Sequence, residues 1–241
     1  MQYLALATDY DGTLAQDSHV SPETIAGLLR LKASGRKVIL VTGRELPELL
    51  SVFPDFSICD CIVAENGALL KWPSEDREET CGEAVPEKFL NEIIHRGVKP
   101  FSVGRVIFAT WRPHEAAVLD IIQTLGLEYQ IIFNKRAVMV LPSGINKATG
   151  LARALKKLKL SPKQVVGIGD AENDHAFLDS CAVAAAVENA LPSLKDRCDI
   201  VTAADHGAGV VELIDRLLAD DLQSLGARRP RQELAERTIN S

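Results

Sequence analysis

The sequence predicts an α/β protein with a doubly wound, mainly parallel sheet, into which a small α+β unit is inserted. Two observations predict the sheet. Short apolar runs alternate with helix-period patterns for most of the 241 residues, and most of those runs are apolar throughout. Strands that are apolar on both faces belong in a sheet covered on both sides, as parallel sheets are. A third observation predicts the insertion, because the alternation stops in mid-chain and resumes near Asn146.

The elements of this Rossmann-like core follow in chain order. Strands are predicted at residues 3–8, 37–41, 61–64, 165–169, 183–186 and 200–202. Ser21 is placed to cap a first helix with Pro22 in its first turn, and Gly35 ends it. Further helices are predicted at residues 45–52, 147–157, 173–180 and 210–219.

The middle of the chain has a different pattern. Asn66-Gly67 between two apolar pairs indicates a two-residue hairpin turn, which ends the parallel winding. Residues 80–143 then predict helices at 86–95 and 113–125 and strands at 103–110, 129–133 and 137–141. We predict that residues 1–79 and 144–222 form the core, that residues 80–143 form the insertion, and that residues 223–241 are a tail or linker.

Composition and charge restrict the possible partners. With 27 basic and 33 acidic residues the net charge is −6, so the chain lacks the positive field that draws proteins to phosphate backbones. Aromatic residues make up only 5%, which leaves few platforms for stacking bases. The longest apolar run has seven residues, 181–187, against roughly 18 for a membrane helix. We expect a cytoplasmic protein that binds neither nucleic acid nor membrane.

Two carboxylates follow the first predicted strand. Asp9 and Asp11 are separated by one residue, Tyr10, so in an extended chain their side chains point to the same side. Gly12 permits a sharp turn after them. Ligands of open α/β sheets bind at the carboxyl ends of strands, which makes this pair a candidate site. The alternative is that both aspartates only cap a turn.

A second acidic pair follows the strand predicted at residues 165–169. Asp170 lies at its carboxyl end and Asp174 lies one helical turn further on. With Asp9 these carboxylates could hold a hard cation, and Mg2+ typically takes a few carboxylates together with substrate phosphate. The alternative is an ordinary helix N-terminus with Asp170 as its cap. A dinucleotide site is excluded because Glu172 occupies the third glycine position of that motif.

Two further segments offer groups for a phosphoryl oxygen. Thr42 and Gly43 end the second strand just before a helix, where a hydroxyl and backbone amides suit an anion. Lys147 opens the helix after the insertion and could reach back as a point charge, although a solvated lysine is the common case. Four chain segments that each offer a group needed by a phosphoryl site indicate more than coincidence.

In this order the motifs resemble those of the haloacid dehalogenase (HAD) superfamily: Asp9-x-Asp11-Gly12-Thr13, Thr42, Lys147, and Gly169-Asp170-x-x-Asn173-Asp174. The segment Val63-Ala64-Glu65-Asn66-Gly67-Ala68 and the insertion resemble its Cof-like branch (type IIB), whose members carry an α+β cap over the active site. The resemblance extends to about residue 218. It implies hydrolysis of phosphate esters with Mg2+.

The resemblance also implies a role for each matched residue. Asp9 would be the nucleophile that forms an aspartyl phosphate, and it would also bind the metal. Asp11 would be the general acid and base, with its carbonyl on the metal. Asp170 would be a metal ligand and Asp174 a supporting ligand. The phosphoryl oxygens would be held by Thr42, Lys147 and Asn173.

Three alternatives stay open at this point. A phosphohexomutase of the same superfamily carries a similar motif set, Asp11 included. A phospho-aspartate receiver domain also uses acidic residues, a threonine and a lysine at strand ends, but it is much shorter and lacks the Asp-x-Asp-Gly-Thr spacing. A binding protein without catalysis is the third alternative.

The sequence predicts the substrate only as a small phosphorylated metabolite, such as a sugar phosphate. Four polar residues near turns of the insertion could meet it, although a solvated position is the better expectation for each: Arg112, His114, Lys135 and Arg136. The arginine-rich tail could link the chain to a further domain or partner.

Overall fold

The computed structural model describes residues 1–134 and 136–225, within which twelve strands form two separate sheets. The chain begins with β1 (Ala5–Thr8), β2 (Lys37–Val41), β3 (Cys61–Ala64), β4 (Leu69–Trp72) and β5 (Arg77–Thr80). The smaller sheet follows with β6 (Phe101–Val103), β7 (Phe108–Trp111), β8 (Tyr129–Asn134) and β9 (Ala137–Pro142). The chain then returns to the larger sheet with β10 (Val165–Gly169), β11 (Val183–Ala186) and β12 (Ile200–Val201).

Eight α-helices lie within the same described residues. They are α1 (Pro22–Ala33), α2 (Leu46–Val52), α3 (Glu87–His95), α4 (Glu115–Thr124), α5 (Lys147–Leu158), α6 (His175–Ser180), α7 (Pro192–Lys195) and α8 (His206–Asp220). Local sequence explains their starts. The Ser21 hydroxyl accepts a hydrogen bond from the Thr24 N–H (3.2 Å) at the start of α1. Asn146 and Thr149 exchange side-chain hydrogen bonds with each other's backbone at the start of α5.

The larger sheet has the strand order β12-β11-β10-β1-β2-β3-β4-β5. From β12 to β3 all neighbours are parallel, and β4 and β5 add an antiparallel edge. The strand β1 is central, with β10 on one side and β2 on the other, so the carboxyl ends of these three strands meet. Such a meeting point is where open α/β sheets bind ligands. The predicted fold class is confirmed.

Residues 87–142, from α3 to β9, form a smaller unit that we call the inserted unit. Its antiparallel sheet has the order β6-β7-β9-β8. One face of this sheet buries an apolar cluster with α3 and α4, which includes Phe89, Phe108 and Val140. A separate apolar cluster joins Met139 and Leu141 of β9 to residues of the larger unit. The domain boundaries expected from the sequence stay predictions.

Two local predictions were wrong, and one strand was missed. The connection from β3 to β4 is not a two-residue turn, because Ala64 pairs with Leu69 and four residues lie between them. The backbone N–H groups of Glu65 and Asn66 instead bond to carbonyls of residues 44 and 42, which draws the turn toward the neighbouring loop. The strand expected at 103–110 is two strands, since the chain reverses between β6 and β7. The edge strand β5 was missed because its four residues, Arg-Glu-Glu-Thr, include no apolar side chain.

The described C-terminal residues close onto the N-terminus. The helix α8 packs on α1, and Asp221, which follows it, pairs with the buried Arg36 (3.0 Å). Asp221 also accepts hydrogen bonds from the N–H groups of Gln2 and Tyr3. The tail predicted at 223–241 begins with a 3₁₀ turn, Gln223–Leu225, and its remainder lies outside the described residues. No helix among the described residues has the length and apolar character needed to span a bilayer.

Loss of the Asp221 carboxylate should destabilise the fold. Asp221→Ala removes the carboxylate that pairs with the buried Arg36 guanidinium and accepts from two N–H groups, so we expect the free energy of unfolding to fall by about 3 kcal/mol. Asp215→Ala is the control, because the Arg30–Asp215 pair is exposed and its loss should cost less than about 1 kcal/mol. Urea denaturation measures both changes. Equal losses in the two variants would contradict this account.

Candidate active site

The candidate site lies where β1, β2 and β10 end. Asp9 follows β1 directly, and its N–H donates to the Ile168 carbonyl of β10 (3.0 Å), which fixes the two strand ends to each other. Asp170 follows β10, and Thr42 follows β2. The parallel pairing therefore collects side chains from distant parts of the sequence at one edge of the sheet.

A buried lysine joins two of the predicted carboxylates. Lys147 is the first residue of α5, and its Nζ lies 2.5 Å from Asp9 Oδ1 and 2.6 Å from Asp174 Oδ1. Its side chain is 1% exposed, so these ion pairs are shielded from water. The exchange of hydrogen bonds between Asn146 and Thr149 begins the helix at this point and so determines where Lys147 starts.

The same residues form a compact acidic group. One carboxylate oxygen each from Asp9, Asp170 and Asp174 lie within 4.8 Å of one another, and all three residues are buried. The Asp174 Oδ2 accepts hydrogen bonds from the N–H groups of Asp170 (2.9 Å) and Ala171 (3.0 Å). Thr13 Oγ1 donates to Asp170 Oδ1 (3.1 Å), so the orientation of the group is determined by several contacts. Buried carboxylates at this spacing suit a hard divalent cation.

Gly12 allows the first motif to approach this group. Its φ is +85°, and a Cβ built there would lie 2.5 Å from Asp170 Oδ2. Any larger residue would therefore be strained in its backbone and would also displace the carboxylate.

Burial and mutual repulsion control the charges. Burial raises the pKa of Asp9 well above that of an ordinary aspartate, Asp174 raises it further, and Lys147 opposes both effects. Burial alone would lower the pKa of Lys147, but Asp174 and Asp9 outweigh it, and the net effect is a raised pKa. Lys147 therefore stays protonated and offsets part of the repulsion between the carboxylates.

Asp11 has a different environment. The Arg44 guanidinium donates two hydrogen bonds to the Asp11 carboxylate, from Nε to Oδ2 (2.7 Å) and from Nη2 to Oδ1 (2.6 Å). Arg44 also donates to Ser18 and Glu48. The Asp11 side chain is 36% exposed, in contrast to the buried acidic group. Two parallel hydrogen bonds from a planar guanidinium fix the orientation of a carboxylate, whereas the point charge of a lysine ammonium does not.

Thr42, Gly43 and Asn173 form a polar wall beside the acidic group, which we call the phosphoryl wall. The Thr42 hydroxyl is buried and accepts from the Arg44 N–H (3.1 Å), which leaves its own proton available to donate. The Asn173 Nδ2 donates to Asn66 Oδ1 (3.2 Å). The Asn173 Oδ1 is buried and has no hydrogen-bond partner among the described residues. An unpaired buried amide oxygen is uncommon, and because it only accepts, it could bind a donor group of a ligand. A phosphoryl oxygen would instead be bound by the second N–H of Asn173 Nδ2, since the hydrogen bond donated to Asn66 uses only one of the two.

The inserted unit covers this wall. A Cβ built on Gly43 would lie 3.1 Å from Met139 Cε and 3.8 Å from Asn173 Nδ2. Met139 belongs to β9, is 6% exposed and is part of the apolar cluster between the two units. The strand β8 also lies against the turn Glu172–Asp174. An apolar side chain of the inserted unit, Met139, therefore lies beside the predicted phosphoryl site.

Comparison with known proteins identifies the family. The sequence profile of the haloacid dehalogenase-like hydrolases matches residues 6–99 and 131–214, which is most of the chain. The chain belongs to this family. It is similar to phosphoglycolate phosphatase 2 of Saccharolobus solfataricus, with 30% identity over 223 residues that cover 90% of this chain and 93% of the relative.

Two further comparisons agree. A phosphoglycolate phosphatase of Methanothermobacter thermautotrophicus is 28% identical over 222 residues, covering 89% of this chain and 98% of the relative. The solved structure of a HAD subclass IIB sugar phosphatase superposes with a TM-score of 0.73 and 18% identity, covering 88% of this chain and 98% of that one. This HAD-like hydrolase is therefore a phosphatase, and the superfamily is the one that the sequence motifs indicated. The receiver domain and the silent binding protein are thereby disfavoured.

The predicted site residues of this HAD-like hydrolase have distinct placements. Asp9, Lys147, Asp170 and Asp174 come together in one buried group. Thr42, Gly43 and Asn173 form the wall beside it, and the Asp11 carboxylate pairs with Arg44.

The polar candidates of the inserted unit make contacts within that unit. The Arg112 guanidinium lies 4.9 Å from the Phe133 ring centroid, and His114 Nε2 lies 2.8 Å from the Lys99 carbonyl oxygen. The Arg136 carbonyl bonds to the Arg112 N–H (3.0 Å), and Lys135 lies outside the described residues.

Sequence reasoning assigned no function to Arg44, Glu65 or Met139. Arg44 follows Thr42-Gly43 directly, and its position next to a phosphoryl motif was a signal that could have been used. Glu65 and Met139 depend on contacts between the two units, and no local pattern indicates such contacts.

Removal of the buried lysine should destabilise the metal-free protein in a pH-dependent way. A carboxyl whose pKa is raised by folding favours the folded state at low pH, and that contribution is lost as the pH rises. Lys147→Met strengthens this effect at Asp9, so we expect a loss of about 3 to 5 kcal/mol at pH 8 that shrinks toward pH 5. Urea unfolding in EDTA at the two pH values measures it.

Lys71→Met is the matched control for this measurement. Lys71 is also buried, but its partner Asp76 is exposed, and the hydrogen bond from Lys71 lowers the pKa of Asp76. The cost of Lys71→Met should therefore be similar at both pH values. If the loss of unfolding free energy in Lys147→Met were the same at pH 8 and pH 5, the pKa of Asp9 would not be raised by burial.

Proposed function

We propose that the protein is a Mg2+-dependent phosphatase that hydrolyses a small phosphomonoester through an aspartyl-phosphate intermediate on Asp9. The observation that carries the proposal is the buried group in which Lys147 binds Asp9 and Asp174 next to Asp170. A nucleophilic carboxylate, a cation and further oxygen ligands at one strand edge are the parts that phosphoryl transfer needs.

In the first step the Asp9 carboxylate attacks phosphorus and the bond to the leaving oxygen breaks. Lys147 supports this step because its ammonium is already held at Asp9 and offsets the charge that builds up as two anions approach. The Thr42 hydroxyl, the Gly43 backbone and the Asn173 amide face the same region and bind the phosphoryl oxygens. Binding by groups that are already ordered keeps the cost of organising the transition state low.

The acidic group fits a magnesium ion. Its carboxylate oxygens are close together and buried, and hard oxygen ligands are what Mg2+ prefers. Asp9 and Asp170 would hold the ion, with Asp174 in support and the Asp11 carbonyl as a further oxygen. When bound, the ion would neutralise charge on the phosphoryl group.

Asp11 is the general acid and base. In its protonated form, with one carboxyl oxygen released from Arg44, it gives its proton to the leaving oxygen in the first step. In the second step it takes a proton from the water that attacks the phosphoryl group on Asp9, which restores the carboxylic acid. The second step releases phosphate and restores the Asp9 carboxylate. Arg44 orients Asp11 through both carboxylate oxygens, and the partial exposure of Asp11 leaves it within reach of water. The two aspartates of one motif thus have different roles because their partners differ.

Phosphoglycolate is the first substrate to test. Two relatives that match most of the chain are named for it. The inserted unit acts as a cap in this proposal, and Met139, which lies against Gly43, would limit the size of the leaving group beside the phosphoryl wall. Glucose 6-phosphate serves as the larger comparison substrate. Turnover without added bisphosphate separates the phosphatase from the phosphohexomutase.

The two aspartates should be separable by substitution. Asp9→Asn replaces the nucleophile and removes a metal ligand, so we expect no phosphoenzyme and no turnover. Asp11→Asn loses only proton transfer, so kcat should fall by about 10^2 to 10^4-fold while Mg2+ and phosphate still bind. Acetyl phosphate, with its good leaving group, should lose least in the first step. Acid-quenched samples should show transient phosphoryl labelling of Asp11→Asn and none of Asp9→Asn.

The metal requirement is tested with the same assay. EDTA should abolish phosphate release and added Mg2+ should restore it. Asp170→Asn should raise the Mg2+ concentration needed for half-maximal activity, whereas Asp11→Asn should shift it little because only its carbonyl faces the metal. Wild-type turnover by Asp9→Asn would rule out the mechanism, and full activity in EDTA would rule out the metal.

Met139 should limit the size of the substrate. Met139→Ala removes the side chain that meets the phosphoryl wall, so kcat/KM for glucose 6-phosphate should rise at least about tenfold relative to that for phosphoglycolate. Val140→Ala is the control, since the next residue of β9 belongs to the apolar cluster with α3 and α4. An unchanged ratio in Met139→Ala would show that other residues select the substrate.

A further inference from the structure

The turn Glu65–Gly67 contacts the inserted unit and the phosphoryl site at the same time, although the mechanism above uses none of its side chains. Glu65 is fully buried. Its Oε1 accepts from the N–H of Arg105 (2.8 Å), and its Oε2 accepts from those of Val106 (2.8 Å) and Ile107 (3.0 Å). One carboxylate of the larger unit therefore binds three consecutive N–H groups of the loop between β6 and β7. Hydrogen bonds to a charged group are among the stronger ones in proteins.

The loop fits closely around this carboxylate. A Cβ built on Gly104 would lie 2.6 Å from the Glu65 carboxyl carbon, so even a methyl group there would displace it. Glu65 itself has φ +50°, a conformation that is costly for a residue with a side chain. Such a conformation persists where the surrounding contacts hold it in place. The turn is therefore specified by its contacts and not by local preference.

The other side of the turn touches each predicted phosphoryl-binding element. Asn66 Oδ1 accepts from Asn173 Nδ2 (3.2 Å). A Cβ built on Gly67 would lie 2.0 Å from the Asn146 carbonyl oxygen and 3.1 Å from the Lys147 nitrogen, so the turn packs directly on the start of α5. The N–H groups of Glu65 and Asn66 donate to the carbonyls of residues 44 and 42 (2.9 Å each). Three consecutive residues thus join the loop of the inserted unit to Thr42, Lys147 and Asn173.

We propose that Glu65 is a positioning residue, which couples docking of the inserted unit to the geometry of the phosphoryl site through the turn Glu65–Gly67. The proposal rests on the proposed function, because it assumes that Thr42, Lys147 and Asn173 bind phosphate. With the loop N–H groups bound to Glu65, the turn holds Asn173 and the start of α5 in place. By linkage, phosphate bound at these residues strengthens the contact between Glu65 and the loop.

A merely structural role for Glu65 makes a different prediction. Any buried acceptor would satisfy the loop N–H groups, and its loss would lower stability without a specific effect on phosphate. The two roles are separated by asking whether phosphate bound at the strand ends is detected at the loop. The N–H groups of residues 105–107 report on this directly, since they donate to Glu65 and not to the proposed phosphate-binding residues.

Four variants test the coupling. Glu65→Ala removes the acceptor, and Glu65→Gln keeps the shape but turns an NH2 group toward a loop N–H. Gly104→Ala pushes a methyl group against the Glu65 carboxylate without changing Glu65 itself. Glu79→Gln is the matched control, because this carboxylate on β5 pairs with Arg77 (3.2 Å) and Lys157 (3.3 Å), both outside the inserted unit.

The first measurement is hydrogen exchange of residues 104–108, with and without inorganic phosphate and Mg2+. In the wild type and in Glu79→Gln we expect phosphate to slow this exchange. In Glu65→Ala the exchange should be fast and should not respond to phosphate, while β1 and β10 stay protected. As a single substitution, Gly104→Ala should weaken the effect of phosphate on the exchange of this loop. Combined with Glu65→Ala it should cause no further change in exchange, because removal of the Glu65 carboxylate leaves room for the methyl group.

The second measurement is steady-state kinetics with phosphoglycolate. In Glu65→Ala we expect KM and the inhibition constant of inorganic phosphate to rise about tenfold, with a smaller change in Glu65→Gln. The coupling would be overturned if Glu65→Ala bound phosphate as tightly as the wild type does. It would also be overturned if phosphate did not change the hydrogen exchange of residues 104–108 in the wild type. If Glu65→Ala fails to fold, Glu65→Gln and Gly104→Ala decide in the same way. Absence of wild-type turnover of phosphoglycolate and of every other phosphomonoester tested would refute the proposed function alone, because the exchange measurement needs no turnover.

Discussion

The candidate site depends on the ion pairs that Lys147 makes with two buried carboxylates. Three aspartates in one dry location repel one another, and a buried charge without a partner is strongly destabilising. Lys147 offsets part of this repulsion before any ligand arrives. Its place follows from the capping interaction of Asn146 and from the packing of α5 against β3, so local sequence and tertiary contacts both determine it.

Much of the core could be predicted because local sequence patterns and the pairing of parallel strands determine it. Strands such as β1 and β10 are apolar on both faces, and only a sheet covered on both sides accommodates them. Once these strands are parallel and adjacent, Asp9 and Asp170 must lie at the same edge, although the sequence separates them widely. The acidic group was predictable for this reason, and the family resemblance added the roles of its members.

The contacts between the two units could not be predicted in this way. The Glu65 carboxylate meets the loop at residues 105–107 only because the larger sheet and the inserted unit pack together, and no periodicity in the sequence encodes that packing. Met139 has the appearance of an ordinary core residue in its strand, and the structure places it against Gly43. The paired hydrogen bonds between Arg44 and Asp11 likewise depend on the exact direction of two loops.

The central position of β1 has a consequence for how the chain is made. One edge of β1 pairs with β2, which begins at residue 37. The other edge pairs with β10, which begins only at residue 165. During synthesis the inserted unit emerges between these two strands, so a nascent chain exposes an apolar, unpaired strand edge until about two thirds of the protein has been made. Closure of the sheet then joins segments that are distant in sequence, a class of contact that forms slowly. The insertion that contacts the candidate site therefore also prolongs the period in which the growing chain is prone to aggregate.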